Sequence, residues 1–91
     1  MRTGEFLVQS RLDAQALEAW IDAGWLRPRG SQSGRDFSDM DLARARLIWD
    51  LRDELGVNDE AVPVVLDLLD QIYSLRRLAR ELMERNRRKE L

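Results

Sequence analysis

Neither histidine nor cysteine occurs in the 91 residues, and proline occurs only twice. Without cysteine there are no disulfides and no thiolate metal sites, a usage that fits a reducing compartment. Without histidine the commonest general base and the commonest metal ligand are both gone. A serine triad of the usual kind cannot be assembled, and a zinc centre lacks its usual ligands. The carboxylates that remain stand at helical spacing on a charged surface, with no nucleophile, base and oxyanion set around them. The chain is therefore expected to be non-enzymatic, with no metal and no cofactor. No run of eighteen apolar residues is present, which excludes a membrane-spanning helix. The opening MRTGEFLVQSR lacks an apolar signal core, and a cytoplasmic location is expected.

What is present is globular: 44% hydrophobic and 35% charged residues, in a length that supports one modest core. The formal net charge of −2 hides a segregation. Residues 1–41 carry −2, residues 42–75 carry −4 and residues 76–91 carry +4. No uniformly basic face for nucleic acid exists. The middle is acidic and the tail is basic.

Helical punctuation is dense. Thr3 is a candidate N-cap for a short helix that points Phe6 and Leu7 inward. Asp13 caps a second helix whose Ala16, Leu17, Trp20 and Ile21 recur at the spacing of a buried face. Gly24 stands where that helix should end, and Pro28 forbids its resumption. RGSQSGRD reads as a polar loop, the tip of a two-stranded wing, flanked by Trp25, Leu26 and Phe37. Ser38 or Asp39 caps a third helix, DMDLARARLIWDLRDEL, with Met40, Leu47, Ile48, Leu51 and Leu55 on one side and Leu42, Ala45 and Trp49 on the other. Gly56 ends it.

Asn58 and Asp59 are cap candidates for the last and longest helix. Val65, Leu68, Ile72, Leu75, Ala79 and Leu82 alternate steps of three and four, a heptad seam with Asn86 at the next core position. A second stripe, Val62, Leu66, Leu69 and Tyr73, covers only the first half. This pattern predicts a helix that leaves the domain and pairs with a copy of itself. The expected architecture is mostly α: a winged helix-turn-helix over residues 1–62, then a dimerisation and partner helix over 63–91.

Two short helices, a GWLRP corner, a loop and FSDMDLARARLIWDLRDELG resemble the DNA-binding domain of MerR-type regulators. The chain is more closely similar to the CbpM type of chaperone modulator, through its Glu5-Phe6 pair, its corner, the LRDELG stretch, and Val64, Leu66, Leu68, Leu69, Asp70, Ile72 and Leu75. Arg11 departs from that pattern, which more often has glycine in the turn. A CbpM resemblance implies a regulator that binds the J domain of a CbpA-like co-chaperone and inhibits its co-chaperone activity and DNA binding. The resemblance to MerR domains implies the alternative, a small DNA-binding transcriptional regulator.

MerR-type readers carry a phosphate-contacting arginine in the second helix. Here Leu17-Glu18-Ala19-Trp20 occupies that stretch, so a carboxylate stands where the cation is expected. Its charge opposes a duplex, which makes DNA binding doubtful. Arg27, Arg29 and Arg35 on the corner and wing are the alternative phosphate contacts; ordinary solvated loop charge is the plainer reading of them. J domains expose a basic helix, so a J-domain inhibitor should offer carboxylates. Asp50, Asp53, Glu54, Asp67 and Asp70 supply them, with Trp49 or Tyr73 as apolar anchor. Each could equally be ordinary helix surface, or core in the case of Trp49.

Overall fold

In the computed structural model, which describes residues 1–90, local capping chemistry sets most boundaries. Helix α1 (Thr3–Ser10) buries Phe6, and the Phe6 ring stacks on Phe37 with centroids 4.2 Å apart. The first acceptor is the Arg2 carbonyl, which takes the Phe6 N–H at 3.0 Å. Thr3 therefore opens the helix and does not cap it. The helix closes on Arg11, which adopts a left-handed conformation at φ 62° and donates its N–H to the Leu7 carbonyl.

Helix α2 (Ala14–Asp22) starts at Asp13, whose carboxylate accepts the Ala16 N–H at 2.7 Å. Leu17 and Trp20 face the core. Gly24, at φ 79°, turns the chain, and its N–H is satisfied by the Ile21 carbonyl. Trp25 and Leu26 then turn inward and are buried. The expected two-stranded wing is reduced to one antiparallel bridge between Arg29 and Asp36. The loop between them is polar, so a longer ribbon would have no apolar face to bury. Gly30 is required there: a Cβ would lie 2.3 Å from the Gly34 carbonyl oxygen.

Helix α3 (Asp39–Trp49) begins with a reciprocal capping box between Ser38 and Asp41 and buries Ala45 and Ile48. The sequence reads as one α-helix to Leu55, but the chain widens into a π-helical turn over Asp50–Glu54, closed by the Leu55 N–H on the Asp50 carbonyl. The extra residue in that turn rotates the residues after it about the helix axis. Leu51 stays buried, whereas Leu55, expected on the same side, is 72% exposed. Met40 is also outside the core, 68% exposed, because the first turn of α3 lies at the rim of a groove toward the last helix. Trp49 is exposed as well, the only tryptophan of three that is not buried.

Asn58, and not Asp59, makes the next cap by accepting the Ala61 N–H at 2.9 Å. Helix α4 runs Val62–Glu90, and Pro63 falls in its first turn, where no intrahelical bond is lost. Val62 and Leu66 are buried in the domain, Leu69 is half-buried, and every residue from Gln71 to Lys89 is exposed. The second stripe thus binds the base of α4 to the domain, and the helix projects along the 54 Å long axis. No helix among the described residues is long and apolar enough to cross a membrane.

Two arginines fasten the parts. The Arg52 guanidinium lies 5.9 Å from the ring centroids of both Trp20 and Trp25 and bonds Asp59 at 2.7 Å. Arg44 donates to the Trp25 carbonyl at 2.6 Å and forks onto Asp70 at 2.8 and 3.4 Å. Corner, π turn and α4 are held by these contacts.

Candidate partner interface

The second helix of a helix-turn-helix presents its outer face to whatever is read. On α2 that face carries Glu18, and Glu18 is engaged. Arg35 of the wing donates both terminal guanidinium nitrogens to its carboxylate, the second at 3.3 Å. The Arg35 side chain is only 11% exposed and that of Glu18 is 43% exposed, so the cation is covered while the carboxylate keeps one side in solvent. The hydrogen bond from Arg35 holds the Glu18 carboxyl below its ordinary 4.5; desolvation opposes this, and the Coulomb attraction of Arg35 adds to it. Arg35 is raised in turn, chiefly by the same hydrogen bond, with Asp22 contributing. Of the three wing and corner cations named from sequence, Arg35 is therefore neutralised within the domain. Arg27 and Arg29 are exposed and form no ion pair among the described residues.

The seven candidate partner residues do not form one patch. Trp49 and Asp50 line a groove of about 460 Å³ between the end of α1 and α3, together with Leu42, Arg46 and Arg11. Asp70 and Tyr73 line a different groove of about 300 Å³ between α3 and α4, with Met40, Arg44 and Leu47. Asp53 and Glu54 are exposed in the π turn, and Asp67 is exposed on α4. Asp70 already holds Arg44. The dimerisation candidates Leu68, Ile72, Leu75, Ala79 and Leu82 are all exposed along α4, and Val65 is half-buried at its base.

Residues 1–84 match the family described as MerR HTH family regulatory protein. The chain belongs to that family. No curated protein and no solved structure matches it.

Within the MerR HTH family frame, α1 and α2 are the helix-turn-helix, the Arg29–Asp36 bridge is the wing, and α4 is the long terminal helix. Several working residues of this MerR-family chain escape a reading by motif. Arg44 stands four residues after Met40 and three before Leu47, a cation inside an apolar stripe, and that misplacement is the signal that marks it. Arg52 carries no such signal, because its partners Trp20 and Trp25 come from α2 and the corner after it, far along the chain.

Proposed function

We propose that this MerR-family protein is a non-enzymatic regulator that acts by binding protein, and that its partner is the J domain of a CbpA-like co-chaperone. The Glu18–Arg35 pair carries the reading. A carboxylate on the reading helix both repels phosphate and consumes the wing cation that would contact it. The acidic middle of the chain suits a basic partner helix instead, since complementary charge steers encounter and fixes register. Asp53, Glu54 and Asp67, exposed and outside any ion pair among the described residues, are the carboxylates readiest to meet that helix. Asp50 and Asp70 extend the set, Asp70 by sharing its charge with Arg44. Tyr73 is the better anchor, because it lies beside Asp70, whereas Trp49 shares its groove with two arginines. On this reading, residues 1–62 are the winged domain and 63–91 the arm.

The arm dimerises through Val65, Leu68, Ile72, Leu75, Ala79 and Leu82, an apolar row that is half-buried at Val65 and exposed from Leu68 onward. Antiparallel pairing lays each +4 tail along the partner's −4 middle, while parallel pairing would place the tails side by side. The test of function is a titration of the protein with an isolated CbpA-type J domain at two salt concentrations. Saturable binding that weakens with salt is expected. Absence of binding at low salt by the folded protein overturns the reading.

Transcriptional regulation through DNA is the second reading, favoured by one observation: Arg27 and Arg29 stand exposed on the corner and wing. An electrophoretic shift on duplex DNA at low salt supports it, and no shift removes it.

A further inference from the structure

The groove between the end of α1 and α3 brings cations without an ion-pair partner among the described residues together with a large aromatic ring left in water. Arg11 lines it from the turn that closes α1 and Arg46 from α3, and neither forms an ion pair among the described residues. By contrast Arg35, Arg44 and Arg52 each hold an acid. Trp49 lines the same groove at 49% exposure, with Leu42 beside it and Asp50 and Gln9 at its edge.

Two backbone anomalies converge there. Arg11 is the only non-glycine residue with positive φ among the described residues, at a turn where glycine would be free of strain. Such outliers collect at binding sites, where the surrounding structure maintains them for what the side chain does. The π-helical turn opens at Asp50, on the same wall, and single π turns recur at functional sites. The volume, about 460 Å³, falls in the range of small-molecule pockets and is short for a peptide groove.

We propose that this groove binds a small planar aromatic carboxylate bearing a hydrogen-bond donor on its ring. The guanidinium groups of Arg11 and Arg46 take the carboxylate as charge-assisted forks. The ring lies against the Trp49 indole and Leu42. Asp50 and the Gln9 amide accept from the ring's donor, which a plain benzoate does not supply. Nothing in this assignment depends on a J domain or on DNA. Because Trp49 and Asp50 line the groove, occupancy also changes the surface that a protein partner meets.

Calorimetric titration of the full chain with 4-aminobenzoate tests the assignment, with 4-aminobenzamide and cyclohexanecarboxylate as the probes lacking charge and aromaticity. Saturable binding of 4-aminobenzoate is expected, with either control weaker by roughly tenfold or more. Arg46→Gln should weaken binding by a similar factor. Arg11→Gly is the decisive variant: it removes a guanidinium while relieving strain, so thermal stability should hold or rise while affinity falls. No saturable binding, equal binding of the benzamide, or full affinity in both R11G and R46Q overturns the proposal.

Discussion

Arg35 of the wing and Glu18 of the second helix, seventeen residues apart in the chain, form a two-point ion pair that closes the wing onto the helix that would otherwise do the reading. The pair is a local decision with a wide consequence. It turns a cation available to phosphate into a structural clasp, and it pairs an acid that would be repelled by phosphate.

The clasp makes stability depend on pH in one direction. The folded-state value of Glu18 is lowered, so its contribution is fully present above the ordinary value of 4.5 and is lost as pH falls through the lower folded value. Below that, both states bind the proton and the contribution vanishes. Thermal melts of the wild type and Glu18→Gln should therefore differ at neutral pH, with the wild type more stable. The difference should shrink in the acid range below 4.5. A gap that stays constant into that range would mean that the carboxylate charge is irrelevant to the clasp.

Releasing the clasp should also change what the protein does with DNA. E18Q removes the repelling charge and frees Arg35 together. Fluorescence anisotropy on a labelled duplex is expected to give tighter binding than wild type, with a logarithmic salt slope steeper by about one. Adding Arg35→Gln should return the slope to the wild-type value. If E18Q binds duplex no better than wild type, neither the charge nor the clasp is what keeps this domain from DNA.

Arg44 and Asp70 are twenty-six residues apart and bind α4 to the corner. Arg44→Ala loses the bond to the Trp25 carbonyl as well as the fork, and urea unfolding should register a cost of about 1–2 kcal/mol. Asp70→Asn keeps the carbonyl bond and leaves a half-exposed partner, so about 0.5 kcal/mol is expected. The reverse ranking would show that the corner carbonyl bond contributes little. A J-domain titration of D70N separates the two roles proposed for Asp70, since loss of affinity beyond the small stability change identifies a contact.

The seam on α4 predicts a stability that depends on protein concentration. Leu75→Glu should yield a monomer by analytical ultracentrifugation, with that dependence gone. The absence of native cysteine makes orientation easy to read. In antiparallel pairing with full overlap, Val65 faces the partner's Leu82. A mixture of Val65→Cys and Leu82→Cys chains should then cross-link on oxidation, while Leu82→Cys alone should not. Efficient self-cross-linking of L82C would establish the parallel arrangement instead.

What the sequence determined by itself lies within a few residues of chain. Asp13 and Ser38 cap because a short side chain reaches an N–H three residues on, and nothing distant is needed to place it. Gly24 and Gly56 end helices through their own positive φ. The two stripes of α4 follow from periodicity alone, and the structure buries one at its base and leaves the other in solvent. The tertiary structure decided the matters that join distant segments. It chose Arg35 for Glu18, Arg44 for Asp70, and Arg52 for two indoles. It also placed Trp49 and Asp50 in one groove and Asp70 and Tyr73 in another. The π turn, across which Leu51 is buried and Leu55 lies in water, breaks a stripe that the helical period alone would have continued. A charge's partner is set by where the chain folds back, and that geometry belongs to the whole domain.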